Sequence, residues 1–128
     1  MQRVDTAPRR FWAGILMAAV AGLASGPVRA AADPSFEQVL AAPDDVNLNF
    51  EYARAEARAG NLLNAAGALE RILDQRPESS EARLFYVGVL LQLDDIQSSR
   101  GQLKLLKDAD LTQLQRRQAD EYSRRVGP

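Results

Sequence analysis

The residues of this chain that could do chemistry are two pairs of acids, Asp44-Asp45 and Asp94-Asp95, and two pairs of bases, Arg116-Arg117 and Arg124-Arg125. Adjacent carboxylates can hold a divalent cation or divide the acid and base roles of a hydrolysis, and adjacent guanidinium groups can grip a phosphate. Neither chemistry finds its usual partners. There is no histidine and no cysteine, which removes the side chain that titrates near neutrality, thiolate nucleophiles, disulfides and cysteine zinc sites. Each acid pair stands just before a stretch of helical apolar periodicity, where a carboxylate satisfies the free amides of a helix start. The arginine pairs share a polar stretch with Asp120 and Glu121, the pattern of a solvated helix face. Gly60, Gly67, Gly88 and Gly101 are scattered through helical pattern rather than clustered behind a strand, so no phosphate loop is present. The sequence therefore assigns no catalytic, metal-binding or cofactor-binding residue, and a carboxylate-dependent hydrolase stays a remote alternative.

The elements that would position any site begin after a targeting segment. Arg3, Arg9 and Arg10 precede "FWAGILMAAVAGLA", an unbroken apolar run at 11–24, and the small residues of "SGPVRAAA" follow. That order is the order of a secretory signal. The run falls short of the roughly 20 apolar residues that cross a bilayer, so a cleaved signal over residues 1–30 is favoured over an inner-membrane anchor. Val28 and Ala30 suit cleavage after residue 30, and Ala30 and Ala32 suit cleavage after residue 32. Phe11 directly follows Arg9-Arg10 where twin-arginine signals have a spacer, which argues against that route. Without Arg3, Arg9, Arg10, Arg29 and Asp5, the remaining 12 basic and 16 acidic residues leave the chain near −4, so a basic footprint for nucleic acid is absent. With 128 residues, 46% hydrophobic and 26% charged, the chain has room for one small domain.

Residues 44–110 read as a repeat. Sliding the chain along itself until Pro43 falls on Pro77 superposes Tyr52 on Tyr86, Gly67 on Gly101, Leu69 on Leu103 and Asp74 on Asp108. Leu62 falls on Ile96, Ala65 on Ser99, Ile72 on Leu106 and Phe50 on Leu84. In the first unit, 44–76, Asp44 or Asp45 caps a helix that carries Leu48, Tyr52, Ala55 and Ala59 at helical spacing. Gly60-Asn61 breaks it, and a second helix buries Leu62, Ala65, Ala66, Leu69, Ile72 and Leu73 before Pro77 stops it. Ala65 and Gly67 are expected to be small because two helix backbones approach there. In the second unit, 77–110, Ser79 or Ser80 caps a helix with Ala82, Phe85, Tyr86, Val89, Leu90 and Leu93, and Ile96, Ser99, Leu103 and Leu106 mark its partner. Asp94 replaces the turn glycine, which predicts a looser or differently shaped corner. Residues 111–128 predict a polar capping helix with Leu111, Leu114, Tyr122 and Val126 on its apolar side and Arg124 and Arg125 at its C-terminal end. Residues 31–43 form a linker in which Ser35 can cap a short helix burying Phe36, Val39 and Leu40.

A period of about 34 residues with two helices per unit resembles the tetratricopeptide repeat. The resemblance implies an all-α fold: two stacked helix-turn-helix repeats and a C-terminal capping helix, an α-solenoid. It also implies a groove lined by the first helix of each unit, which places Asn47, Phe50, Glu51, Arg54 and Arg58 there from unit one and Leu84, Phe85, Gly88, Leu91 and Gln92 from unit two. Phe50, Leu84 and Leu91 would take apolar side chains of a helix or extended segment, and Arg54 and Arg58 would meet a carboxylate or backbone carbonyls. The occupant is another protein or peptide, or else the chain's own capping helix or residues 35–41. The lysines of the family's carboxylate clamp for chaperone tails are absent, so that ligand is not implied. The order of signal, short helix and repeats is similar to exported Gram-negative proteins whose repeats sit in the periplasm. The expected function is a non-catalytic interaction module of the bacterial envelope, periplasmic or secreted, or alternatively a permanent structural subunit of a larger envelope or outer-membrane complex. Intact mass of the native protein checks the leader: loss of residues 1–30 or 1–32 is expected, and an uncut chain that fractionates with the inner membrane would make the segment an anchor.

Overall fold

Five of the six helices in the computed structural model, which describes residues 32–128, begin where a short oxygen-bearing side chain turns back onto the chain. Ser35, Asp45, Ser79, Asp95 and Thr112 each accept the amide three residues on, at 3.0 to 3.3 Å. Such caps satisfy donors that have no partner inside the helix. They open α1 (Phe36–Ala41), α2 (Val46–Arg58), α4 (Ser80–Gln92), α5 (Ile96–Leu105) and α6 (Gln113–Val126), while α3 (Leu62–Gln75) starts at Asn61 without a side-chain cap. Of the alternatives left by the sequence, Asp45 and Ser79 are the caps. The expected leader, residues 1–30, lies outside the described residues.

The two helical pairs keep the register of the repeat down to their corners. Gly60 and Asp94 both adopt positive φ, at 83° and 62°. At the first corner the Asn61 amide donates to the Glu56 carbonyl (2.8 Å) and the Gly60 amide to that of Ala57 (3.1 Å). At the second, Asp95 donates to Leu90 (2.9 Å) and Asp94 to Leu91 (3.2 Å). The same pair of bonds ends both helices, so the expectation of a differently shaped corner at Asp94 is corrected. Aspartate is one of the few residues with a side chain that enter this region at tolerable cost.

Each helix packs on the next along the chain, and α6 lies across both α4 and α5. Two apolar cores result. The first joins Val39, Tyr52, Ala53, Ala65, Ala68, Leu69 and Ile72 to Ala82, Tyr86, Val89 and Leu90 of α4. The second joins Leu84, Val87 and Leu91 of the same helix to Leu103, Leu106, Ala119 and Val126. The repeat pairs Tyr52/Tyr86, Ala65/Ser99, Leu69/Leu103 and Ile72/Leu106 are buried in both units, and the Ser99 hydroxyl is satisfied by donating to the Asp95 carbonyl at 2.7 Å.

Polar side chains fasten the joint before each unit. Asn49, fully buried, donates to the carbonyls of Pro43 and Asp45 (both 2.9 Å) and accepts from Arg71 Nε at 3.0 Å. One period later Arg83 donates to the Pro77 carbonyl at 2.6 Å and to Gln102. Proline ends the preceding helix, and the residue six positions on holds its carbonyl.

Several sequence expectations need correction. A Cβ on Gly67 would meet only Arg71 Nη1, at 3.9 Å, so no backbone approaches there; the small residues that let helices close are Ala65 and Ala68, both fully buried. In α1 only Val39 is buried, because this short helix packs chiefly on α2 and leaves Phe36 49% and Leu40 61% exposed. Ala59 is the exposed C-cap of α2, and Leu114 points away from both neighbours of α6. Ala65→Phe should overpack the first core and lower stability by about 1 to 3 kcal/mol. Gly67→Ala should raise it by roughly 0.5 to 1 kcal/mol, the propensity difference with no clash to offset it. Chemical denaturation measures both, and a destabilising Gly67→Ala would show that a backbone does lie against that position.

Candidate functional site

The residues at one repeat position explain the shape of the concave side. Arg54 of α2, Gly88 of α4 and Tyr122 of α6 occupy the same place in three successive periods. A Cβ on Gly88 would stand 2.8 Å from the Tyr122 hydroxyl, so the glycine makes room for the tyrosine. Gln118 Nε2 donates to that hydroxyl at 3.1 Å. The capping helix therefore lies over the second unit, and the cleft that stays open runs between α2, α4 and α6. It holds about 390 Å³ and is lined by Arg54, Glu81, Leu84, Phe85, Gln115, Gln118 and Tyr122. A neighbouring recess of about 300 Å³, sharing Arg54 and Glu81, is bounded by Asn47, Phe50, Glu51, Arg76 and Ser79.

Arg54 stands where the two recesses meet. Its guanidinium donates to Glu51 at 2.9 Å and to Glu81 at 3.3 Å, and lies 5.3 Å from the centre of the Phe50 ring. The three charged side chains, Arg54, Glu51 and Glu81, are 41%, 62% and 66% exposed, so each pair contributes only about 0.2 to 1 kcal/mol and can be exchanged for a ligand's charge. Arg58 is engaged elsewhere, with Asp33 at 3.0 Å.

The sequence-predicted groove residues divide accordingly. Asn47, Phe50, Glu51, Arg54 and Phe85 line the open recesses. Leu84 and Leu91, expected as exposed apolar contacts, are instead 2% and 8% exposed: α5 and α6 cover that side of α4, leaving Leu84 as the floor of the cleft and Leu91 inside the second core. Gln92 is exposed, with its side chain turned back to the Gly88 carbonyl of its own helix at 3.5 Å. Sequence reasoning missed Glu81, Gln115, Gln118 and Tyr122. The period could have found them, because Gln115, Gln118 and Tyr122 stand one repeat beyond Glu81, Leu84 and Gly88. The acid pairs resolve into caps and turns: Asp45 and Asp95 cap helices, Asp94 makes the corner after α4, and Asp44 lies in the turn before α2. The amide of Ser98 bonded to Asp95 holds that carboxyl below its usual range. Among the described residues no three His, Cys, Asp or Glu side chains gather to hold a metal ion, and no helix is long and apolar enough to cross a membrane.

The profile of the tetratricopeptide repeat family matches residues 56–119, from inside α2 to inside α6. The chain belongs to the tetratricopeptide repeat family. No curated protein and no solved structure matches it. Tetratricopeptide repeats mediate protein–protein interaction, and here the matched stretch includes Glu81, Leu84 and Phe85 of α4 and Gln115 and Gln118 of α6, while Arg54 and Tyr122 flank it. Gly88→Ala should displace the Tyr122 ring. The gain of about 1 kcal/mol in helix propensity offsets much of the lost packing, so the readout is the ring's NMR signals more than stability. Unchanged Tyr122 signals would show that α6 does not rest on Gly88.

Proposed function

We propose that this tetratricopeptide repeat protein is a non-catalytic adaptor of the bacterial envelope that takes a peptide segment or helix face of another protein into the cleft between α2, α4 and α6. The observation that carries this reading is the composition of the cleft. The Phe85 and Tyr122 rings stand beside Leu84 as a surface for an apolar side chain, and aromatic rings supply contact area at small entropic cost. Gln115, whose amide oxygen accepts from the Thr112 amide at 3.0 Å, offers its amide nitrogen as a donor, and Gln118, whose nitrogen donates to Tyr122, offers its oxygen as an acceptor, a pair that suits the backbone of an inserted segment. At one end the Glu51, Arg54 and Glu81 ion pairs offer charge of both signs to a ligand, so a neutral or mixed-charge segment fits better than a purely acidic one. The envelope location rests on the order of basic residues, apolar run and small residues at 1–32.

A photo-crosslinking residue at Gln118 should capture the partner in the native envelope, whereas the same residue at Leu63, exposed outside the cleft, should not. Arg54→Glu with Gln118→Glu places two further carboxylates in the cleft. It should weaken capture by on the order of tenfold or more while circular dichroism stays that of the parent. Full capture by the folded double variant would remove the cleft as the binding surface.

A further inference from the structure

Charge is spread unevenly along the array. Residues 33–95 carry 12 acidic and 5 basic side chains, and residues 96–128 carry 7 basic and 4 acidic, so the two parts stand near −7 and +3. Each end also presents an apolar surface. On α1, Phe36 and Leu40 are largely exposed one helical turn apart, and Glu37 and Asp44 lie close to them in the chain. Between α5 and α6 lies a recess of about 300 Å³ floored by Leu103 and Val126 and rimmed by Arg100, Lys104 and Lys107, with no carboxylate side chain in its lining. Arg100 is occupied in holding the Val126 carbonyl and a main-chain oxygen of Pro128, at 2.9 and 3.2 Å. Lys104 and Lys107 make no ion pair among the described residues.

Register adds a geometric match. The C-cap of α1, Ala42, has φ −140° and ψ 65°, and that of α3, Arg76, has φ −134° and ψ 72°, each one residue before a proline. Residues 36–41 lie one period before 70–75, so α1 stands where a unit's second helix ends. By the same period α6 stands where a unit's first helix runs. Seating α1 of one copy against α6 of another pairs a first with a second helix, brings acid to base, and covers Phe36 and Leu40.

We propose that the protein self-associates head to tail, with α1 of one copy in the basic recess between α5 and α6 of the next. Sedimentation of the purified protein tests it. Because a head-to-tail contact leaves one free end of each kind, average mass should climb steadily with concentration instead of levelling at two copies. In about 1 M salt, where the Debye length falls from about 30 Å at 0.01 M to about 3 Å, it should return to that of one chain. Lys104→Glu with Lys107→Glu, and separately Glu37→Lys with Asp44→Lys, should each give a folded, non-associating chain, and mixing the two should restore assembly because the reversed ends complement each other. A chain that stays single at low salt, a plateau at two copies, or a mixture that fails to assemble would overturn the proposal. Arg54→Glu with Gln118→Glu should leave assembly intact, which separates this surface from the cleft; if that variant dissociates the copies, the contact lies in the cleft and the proposal falls.

Discussion

The structure depends on α4 being buried on two sides at once. A helix at the surface of a small domain usually shows one apolar stripe and one polar face. In α4, Ala82, Tyr86, Val89 and Leu90 enter the first core while Leu84, Val87 and Leu91 enter the second. Little of its circumference is left for water, and what is left, around Phe85 and Gly88, borders the cleft. A chain this short has limited core to spare, and sharing one helix between two clusters makes both units parts of one array, as nearest-neighbour repeats require. It follows that α6 is part of the core, not an appendage: Ala119 and Val126 close the second cluster, and without them Leu84 and Leu91 would face solvent.

Polar groups set the geometry that the cores then fill. At the joint before each unit, a proline stops the preceding helix, and its own carbonyl, outside the helical ladder, has to be satisfied by a side chain. Asn49 answers Pro43 and Arg83 answers Pro77. Arg71 ties the first of these joints to α3, and Gln102 ties the second to α5. Tyr86 adds a cross-link from α4 to α3, donating to Glu70 at 2.6 Å; burial first, and that bond second, push its phenol above the ordinary tyrosine range. These contacts fix the angle at which one unit follows another, and that angle sets the width of the cleft.

The repeat was legible because periodicity is a property of the chain itself. Pairs such as Ala65/Ser99 and Ile72/Leu106 mark the same places in three dimensions, and Asp94 takes the conformation of Gly60 because its corner must satisfy the same two carbonyls. What the sequence could not decide was which side of α4 meets solvent. With apolar residues nearly all round, periodicity gives no direction, and analogy with unit one puts Leu84 and Leu91 in the groove. Gly67 misleads for a related reason: a small residue in a helix signals close approach only if a neighbour is there, and that depends on tertiary packing. Asn49, a polar residue in the interior, is invisible to any pattern of apolar spacing. Relative to its predicted lining, the concave side loses Arg58, Leu91 and Gln92, gains Glu81 from α4, and gains Gln115, Gln118 and Tyr122 from the capping helix.

That exchange changes the chemistry of the site. With Leu84 and Leu91 exposed, the concave side would have been a long apolar trough flanked by free arginines, suited to an amphipathic helix with acidic residues. With α6 seated on Gly88 through Tyr122, the trough shortens to a cleft whose walls are two rings and two amides. Arg54 is held between two carboxylates, and Arg58 is turned to Asp33. The affinity available from so small an apolar floor is modest, so discrimination has to come from how a ligand's polar groups replace the Glu51–Arg54–Glu81 pairs and meet the glutamine amides. Because the same α6 that narrows the cleft also closes the second core, a change that lifts α6 would widen the binding site and weaken the fold together.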